Sequence, residues 1–182
     1  MDLVLAISGL HGSGKSTYAR ALATAFELRL VSAGQIFRRI AKERNLTLEQ
    51  LTEEAKKNPE IDRLIDEMTK EEAAKGNVVL DGQLSAWMGR EKTDVKIFFT
   101  SPENVRFERI ARRDKLSFEA AKRQTLMREA AQKERFIELY GIDPSDLSIY
   151  DVIFDTNLQS IEENINILKE IISEYLAEKG KK

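Results

Sequence analysis

The chain has 182 residues, of which 42% are hydrophobic, so it can fill one core but is short for two domains of ordinary size. Lysine and arginine total 29 against 31 aspartate and glutamate, which gives no electrostatic reason to expect a nucleic acid or a membrane as partner. The absence of cysteine excludes disulfides and thiolate catalysis, and with one histidine the metal that suits the remaining oxygen ligands is Mg²⁺. We therefore expect a single domain over residues 1–182, monomeric and cytoplasmic, without a membrane span.

A phosphate-binding pattern joins the first predicted strand to the first predicted helix. The apolar stretch over residues 3–7 indicates a buried strand, and apolar residues at helical spacing over 15–26 indicate a helix. Residues 9–17 read GLHGSGKST, which fits G-x-x-x-x-G-K-[ST] at every fixed position. This order of strand, glycine loop and helix favours a nucleoside triphosphate site over a glycine turn that merely joins two elements.

Each residue type in this loop has a physical reason. Glycine allows positive φ and brings backbone amides close to phosphate oxygens. Lys15 is expected to reach the β- and γ-phosphates, Ser16 to ligate Mg²⁺ and Thr17 to lie on the α-phosphate side. His11 is expected to shape the loop rather than to take part in catalysis. The predicted ATP-binding set from the loop is Gly9, Gly12, Ser13, Gly14, Lys15, Ser16 and Thr17.

Strands and helices alternate along the rest of the chain. Further strands are predicted at 28–31, 78–80, 95–99 and 151–154. Helices are predicted at 33–44, 47–57, 59–75, 101–113 and 117–140, with a closing helix after the last strand and a frayed tail at 178–182. Five strands alternating with helices predict an α/β fold in which a parallel sheet carries helices on both faces.

Polar residues follow the predicted strands, at the edge of the sheet where ligands bind in such folds. They are residues 32–34, 81–83 and 155–157. Asp81 is a candidate carboxylate for Mg²⁺, acting directly or through water, and the alternative is a simple turn residue at the end of a strand. Thr156 belongs to the predicted ATP site, where the backbone near it would contact adenine.

The stretch over residues 109–135 is rich in arginine. Arg109, Arg112 and Arg113 share a helix face, and Arg128 and Arg135 lie two turns apart on the next helix. The acidic residues among them would also suit a solvated charged face. Beside a triphosphate site we favour a helical lid over about 112–138, whose arginines cover the charge of the transferring phosphoryl group.

Five segments of the chain carry a resemblance to a known family. They are ISGLHGSGKST at 7–17, LVSAGQIFR at 30–38, VLDG at 79–82, VKIFF at 95–99 and YGID at 140–143. Along its whole length the chain resembles cytidylate kinases, especially the short archaeal kind. The resemblance implies the P-loop nucleoside monophosphate kinase fold, with a helical acceptor-binding insert at about 33–75 and the helical lid. It also implies transfer of the γ-phosphate of ATP to CMP or dCMP with Mg²⁺.

The resemblance further implies roles for individual residues. Ser32, Gly34 and Arg38 are expected to line the acceptor site, with Arg38 on the acceptor phosphate. The remaining residues of the expected acceptor site are Phe37, Asp62, Gly82 and Gln83. The expected catalytic groups, which hold Mg²⁺ or the transferring phosphates, are Lys15, Asp81, Arg109, Arg113, Arg128 and Arg135.

Three places depart from the family pattern. Gln83 stands where an arginine is common, residues 67–69 read EMT where Arg-Arg-Gln is frequent, and His11 replaces the usual proline or serine. The first two changes remove cations, and losing a charge-assisted contact to phosphate costs on the order of 1.5–3 kcal/mol at a buried site. The sequence therefore constrains the phosphate donor more than the acceptor.

Two other functions stay open on the sequence. A kinase of the same fold could phosphorylate a hydroxyl of a small metabolite or nucleoside, with Asp81 or Asp62 as the general base. A nucleotide-dependent switch or sensor would bind a nucleotide without passing on its phosphate. The Asn-Lys-x-Asp element expected of a guanine-type switch does not occur in this sequence.

Overall fold

The computed structural model describes residues 2–179, which form a sheet of five parallel strands surrounded by helices. The strands are β1 (Val4–Gly9), β2 (Arg29–Ser32), β3 (Val78–Asp81), β4 (Val95–Thr100) and β5 (Val152–Asp155). The helices are α1 (Lys15–Ala25), α2 (Ala33–Glu43), α3 (Leu48–Lys57), α4 (Glu60–Ala74), α5 (Ser85–Met88), α6 (Glu103–Asp114), α7 (Phe118–Tyr140) and α8 (Ile161–Lys179). The strand order across the sheet is β2-β3-β1-β4-β5.

The central strands are apolar and fully covered. β1 pairs with β3 on one side and with β4 on the other, and every residue of β1 and β3 is buried. Continuous apolar runs of this kind are what a parallel sheet with two covered faces requires. β2 and β5 form the edges of the sheet and are partly exposed.

Helices pack on both faces of the sheet. Leu22 of α1 and Leu168 of α8 belong to the core on one face, and Ala73 of α4 packs near Leu80 of β3 on the other. The helices α2, α3 and α4 also share an apolar core of their own, which includes the fully buried Leu51. The segment between β2 and β3 is thus a packed helical unit beside the sheet.

The predicted α/β fold with a parallel sheet is confirmed, and each predicted strand and helix lies within two residues of its expected bounds. The helix α5 was missed, because four residues are too few to give a periodic pattern. In the expected frayed tail, residues 178 and 179 instead continue α8, and residues 180–182 lie outside the described residues.

The carboxyl ends of the strands bring together residues that are far apart in sequence. The glycine loop after β1, Ser32 at the end of β2, Asp81 at the end of β3 and Thr156 after β5 meet at this edge. This is the edge where open parallel sheets bind ligands. Within residues 2–179, no helix combines the length and the apolar character that crossing a bilayer demands.

Candidate active site

The glycine loop after β1 needs glycine at two of its turns. Gly9 and Gly12 have φ angles of 146° and 77°, which L side chains rarely adopt. A Cβ on Gly9 would lie 2.2 Å from the carbonyl oxygen of Phe99, and one on Gly12 would lie 2.5 Å from that of Arg106. The loop is therefore pressed against β4 and α6, and it can keep this conformation only because these residues have no side chain.

Lys15 opens α1 and lies among other charged groups. Its ammonium group donates a hydrogen bond to the carbonyl of Leu10 at 3.4 Å, within the loop itself. Burial lowers the pKa of Lys15, Asp81 opposes the shift, and the arginines Arg128 and Arg113 lower the pKa further. Two arginines of the predicted lid thus lie close enough to the loop to repel its lysine.

Asp81 holds two serine hydroxyls with one carboxylate oxygen. Its Oδ2 accepts hydrogen bonds from Ser16 Oγ at 2.8 Å and from Ser32 Oγ at 2.9 Å, and only 3% of the residue is exposed. Ser32 directly precedes α2, yet its hydroxyl does not cap that helix because Asp81 accepts the hydrogen bond instead. The group offers only oxygen donors, which is the ligand type that Mg²⁺ prefers.

This oxygen cluster fits a metal that takes most of its ligands from phosphate and water. Among residues 2–179 no group of three or more histidine, cysteine, aspartate or glutamate side chains could enclose a metal by itself. Ser16 and Asp81 are the expected protein ligands, and their 2.8 Å contact places a hydroxyl and a carboxylate next to the glycine loop. A hydroxyl and a nearby carboxylate are how P-loop enzymes hold Mg²⁺ beside a triphosphate.

Thr156 ties the loop after β5 to the glycine loop. Its hydroxyl donates to the carbonyl of Ser13 at 2.7 Å and accepts from Arg109 Nη1 at 2.8 Å. Arg109 Nη2 also donates to the Thr156 carbonyl at 3.3 Å, and Arg109 Nη1 lies 3.4 Å from Ser101 Oγ. Arg109 is therefore fixed beside the start of α1 by its hydrogen bonds to the loop after β5.

Positive charge gathers on the other side of the glycine loop. Burial lowers the pKa of the half-buried Arg128 guanidinium, and the neighbouring arginines Arg113, Arg38 and Arg135 lower it further. Arg113 forms a bidentate ion pair with Asp114, at 2.7 Å for both hydrogen bonds, but this pair is largely exposed. Arg113 of α6 and Arg128 of α7 thus lie close to Lys15, and Arg38 of α2 lies close to Arg128, an arrangement that a polyanion would stabilise.

A buried ion pair connects α4 with α7. Arg135 Nε donates to Asp62 Oδ2 at 2.8 Å, and the side chains are 6% and 7% exposed. Arg135 Nη1 is buried without a hydrogen-bond partner in the described part of the chain. A buried guanidinium with an unused donor is costly, so this nitrogen is a natural contact for a ligand atom.

A second α4–α7 contact lies one helical turn along α4. The Tyr140 hydroxyl donates to Asp66 Oδ2, and Asp66 is 8% exposed. Burial raises the pKa of Asp66 to about 6, with a further contribution from the like charge of Asp62. The two pairs attach the carboxyl-terminal half of α7 to the helical unit between β2 and β3.

The comparisons with known proteins agree with this architecture. Residues 4–158 match the cytidylate kinase-like family. The chain belongs to this family. It is 49% identical over 176 residues to the cytidylate kinase of Staphylothermus marinus, covering 97% of this chain and 99% of that protein. It is 44% identical over 169 residues to the cytidylate kinase of Ignicoccus hospitalis, covering 93% of this chain and 98% of that protein.

Solved structures support the fold class. A shikimate kinase from Bacteroides thetaiotaomicron aligns with a TM-score of 0.64 at 16% identity, covering 94% of this chain and 98% of that one. A shikimate kinase from Acinetobacter baumannii aligns with a TM-score of 0.59 at 18% identity, covering 94% of each chain. At such low identity the likeness concerns the P-loop kinase fold of this family member and not its substrate.

Two departures from the family pattern remove a cation from this cytidylate kinase-like chain, one at residues 67–69 and one at Gln83, and their surroundings differ. In the segment 67–69, Glu67 pairs with Lys70 in solvent, Met68 packs against the α2–α4 core, and the Thr69 hydroxyl donates to the Ile65 carbonyl at 2.8 Å. Gln83 instead contacts the His11 ring, with 3.2 Å between Gln83 Nε2 and His11 Nε2. Two of the three departures from the family pattern are therefore neighbours in space.

The other residues of the expected acceptor site surround the start of α2. A Cβ on Gly34 would meet the guanidinium of the exposed Arg38 at 3.7 Å. A Cβ on Gly82 would lie 2.8 Å from that of Ala33, so the loop after β3 packs tightly against α2. Phe37 is partly buried against the α2–α4 core.

Thr17, which is expected in the ATP site, is exposed in the first turn of α1, where its amide donates to the Gly14 carbonyl at 2.8 Å.

Sequence reasoning missed several residues that organise the site. Asn164 is fully buried, and its amide donates to the Tyr18 hydroxyl at 3.0 Å and to the Thr156 carbonyl at 3.3 Å. Arg106 is 2% exposed and pairs with Glu129 at 2.8 Å. Asn164 is a polar residue on a helix face that is otherwise apolar, and this pattern was the one available signal, whereas the face of Arg106 is rich in charge and gave none.

Proposed function

We propose that this protein is an ATP-dependent nucleoside monophosphate kinase that phosphorylates CMP or dCMP. The observation that carries the proposal is the cluster of cations at the glycine loop, where Arg113 and Arg128 lie close to Lys15 and Arg38 lies close to Arg128. Such a cluster suits two phosphate-bearing substrates that meet end to end. The high identity to proteins named cytidylate kinases, over nearly the full length of both chains, supports the same acceptor class.

On the donor side, the glycine loop and the start of α1 would hold the β-phosphate of ATP through backbone amides. Lys15 would leave its weak contact with Leu10 and bridge the β- and γ-phosphates. Thr156 and Arg109 would bound the space for the adenine, because they are attached to the loop and to each other there. Their hydrogen bonds keep this side of the site in shape before ATP arrives.

Mg²⁺ would be held by the Ser16 hydroxyl and by Asp81, directly or through water. When bound, it neutralises part of the charge on the β- and γ-phosphate oxygens. Asp81 would also orient the hydroxyls of Ser16 and Ser32, since its Oδ2 accepts from both. Ser32 precedes α2, so this carboxylate connects the donor side with the helices expected to bind the acceptor.

The acceptor would need no general base. The second pKa of a phosphate monoester is about 6, so the attacking oxygen is already largely ionised at pH 7. Arg38 would bind the acceptor phosphate, while Arg113 and Arg128 would stabilise charge on the transferring group. Catalysis would then consist of alignment and charge stabilisation, in a site from which the lid excludes water.

Arg135, which the sequence places on the transferring phosphates, would instead read the base of the acceptor together with Asp62, because the two form a buried pair. A carboxylate accepts from the exocyclic amino group of cytosine, and the unused Nη1 of Arg135 donates to a ring nitrogen or carbonyl beside it. Uracil has a carbonyl in place of that amino group and would oppose the Asp62 oxygen. UMP is therefore the most informative competitor of CMP.

The experiment that tests this proposal is coupled ADP release with Mg²⁺-ATP against CMP, dCMP, UMP, AMP, GMP and unphosphorylated nucleosides. We expect rapid turnover with CMP or dCMP and turnover at least tenfold slower with UMP, the factor that about 1.4 kcal/mol produces. Turnover with a hydroxyl acceptor alone would establish the alternative kinase reading. Slow ATP hydrolysis that no acceptor changes would favour a nucleotide-dependent switch. The cytoplasmic location and the monomeric state stay predictions from the sequence.

A further inference from the structure

The predicted lid contacts the glycine loop at His11. The His11 backbone N–H donates to Glu129 Oε1 at 3.0 Å, and His11 Nε2 lies 2.7 Å from Gln132 Oε1. The His11 carbonyl accepts from Arg106 Nη1 at 2.7 Å, and the same nitrogen donates to Glu129 Oε1 at 2.8 Å. Backbone and side chain of one loop residue are thus joined to α6 and α7.

These contacts oppose a repulsion that the site itself creates. Burial is the largest cause of the lowered pKa of Lys15 and of Arg128, and like charges add to it: Arg128 and Arg113 lower the pKa of Lys15, while Asp81 and Glu129 oppose them. Like charges push α7 away from the loop unless an anion lies between them. Glu129 and Gln132, which bind His11, are the groups of α7 that attract it to the loop.

Helix geometry relates Gln132 directly to the arginines of the lid. Arg128, Gln132 and Arg135 stand at positions i, i+4 and i+7 of α7, which share one face of a helix. Gln132 therefore lies between the arginine expected on the transferring phosphate and the one paired with Asp62. A contact at Gln132 fixes the height and the rotation of this face above the loop.

The neutral state of His11 suits this contact. Burial lowers the pKa of His11 well below its ordinary value, and Lys15, Arg128 and Arg106 lower it further. The neutral ring nitrogen carries either a proton or a lone pair, so it bonds fully to one of its two glutamine neighbours at a time. Gln132, at 2.7 Å, is nearer than Gln83, at 3.2 Å. Nε2–H donating to Gln132 is the arrangement that the shorter distance favours.

We propose that His11 is a positioning residue that docks the lid helix, through Gln132 and Glu129, so that Arg128 is held over the transferring phosphate. This inference rests on the proposed kinase function. In this role the His11 ring need not touch a substrate, because it acts on the reaction through the position of Arg128. In this account Gln83 borders the contact and limits how the ring turns.

The test compares His11→Ala, Gln132→Ala and the double variant with the wild-type protein. Each single variant should lower kcat about five- to tenfold, as expected for the loss of one neutral hydrogen bond. The Kd of Mg²⁺-ATP in the absence of acceptor should change less than twofold, since the loop and Lys15 remain. The double variant should be no less active than the less active of the two single variants, because both changes remove the same contact.

A conservative variant and a control separate docking from general damage. His11→Gln places an amide N–H near the position of Nε2 and should recover at least half of the lost kcat on a logarithmic scale. Gln124→Ala changes an exposed glutamine of the same helix α7 and should leave kcat unchanged. Additive losses in the double variant, an equal loss in Gln124→Ala, or no recovery in His11→Gln would overturn the proposal.

Hydrogen–deuterium exchange of α7 gives a readout that does not require turnover. With Mg²⁺-ATP bound, amides of residues 128–136 should exchange at least fivefold faster in His11→Ala and Gln132→Ala than in the wild-type protein, because the lid opens more often. If no monophosphate is a substrate, the proposed function fails, and the exchange rates still decide the docking role. Equal exchange in all variants would contradict that role.

Discussion

The donor side of the site, which comprises the glycine loop, Thr156 and Arg109, is built largely on backbone held by short hydrogen bonds. The acceptor and lid side, which comprises α2, α4 and α7, is built from long charged side chains. On the donor side, Thr156 Oγ1 alone joins Ser13 and Arg109 at 2.7 and 2.8 Å. On the other side, Arg128 faces like charges, and Arg135 keeps an unused buried donor. The first side is organised before any ligand binds, whereas the second gains its missing partners from the ligands.

The largest expected effect comes from removing Lys15, the cation of the glycine loop. Lys15→Met should lower kcat about 10³-fold, since a group that stabilises transition-state charge in a closed site contributes about 4 kcal/mol. The thermal midpoint should not fall, because burial and the nearby Arg128 and Arg113 destabilise the charged ammonium group more than Asp81 and Glu129 stabilise it. Coupled ADP release and a melting curve check both statements.

Lys169→Met, an exposed change on α8, is the matched control for this variant and should leave kcat unchanged. A kcat loss below tenfold in Lys15→Met would mean that the donor phosphates bind elsewhere.

Breaking the buried pair of the acceptor side should cost stability as well as activity. Asp62→Ala leaves the guanidinium of Arg135 buried and without its partner, so the free energy of unfolding should fall by about 3–4 kcal/mol. Urea unfolding measures this change. Glu67→Ala, on the exposed side of the same helix, should change it by less than about 0.5 kcal/mol. An Asp62→Ala protein as stable as the wild type would show that Arg135 is not buried as described.

The second α4–α7 contact makes stability depend on pH. The pKa of Asp66 is raised from 3.8 to about 6 in the folded protein, so folding binds a proton that the unfolded chain releases more readily. The contribution of Asp66 to the free energy of unfolding is therefore lost as pH rises from 3.8 to about 6, by at most about 3 kcal/mol. The midpoints of urea unfolding at pH 4, 5, 6 and 7 should include this fall, together with the contributions of the other groups that titrate in this range.

The difference in free energy of unfolding between the wild-type protein and Asp66→Asn isolates the contribution of Asp66 titration. The variant keeps a neutral side chain of the same size, so its stability relative to the wild type should increase over this pH window. A constant difference between the two proteins from pH 4 to 7 would contradict the raised pKa.

The smallest of these effects is expected from Arg109, the arginine of the donor side. Arg109→Ala removes two hydrogen bonds from a guanidinium to Thr156 and should raise the KM for ATP about tenfold, which corresponds to about 1.4 kcal/mol. The KM for CMP should change less than twofold. Arg112→Ala, an exposed neighbour on α6, should leave both constants unchanged. Equal increases of both KM values would place Arg109 at the transferring phosphates instead.

The donor side was predictable because its signals are local in the sequence. Residues 9–17 carry the phosphate-binding pattern on their own, and apolar runs give the strands that position Asp81 and Thr156. The contacts of the lid are not local: His11 and Glu129 are 118 positions apart, and Arg135 and Asp62 are 73 apart. Charged residues such as Arg106 and Glu129 resemble a solvated helix face in the sequence, and only packing against the loop buries them.

The assignment of this protein as a kinase that selects cytosine through Asp62 is decided by one ratio. It is the kcat/KM for CMP divided by that for UMP, with Mg²⁺-ATP as donor, in the wild-type protein and in Asp62→Asn. We expect a ratio of at least ten in the wild type and a ratio near one in the variant, because an amide then replaces the Asp62 carboxylate whose oxygen opposes the uracil carbonyl. No turnover of either monophosphate, or a wild-type ratio near one, would contradict it.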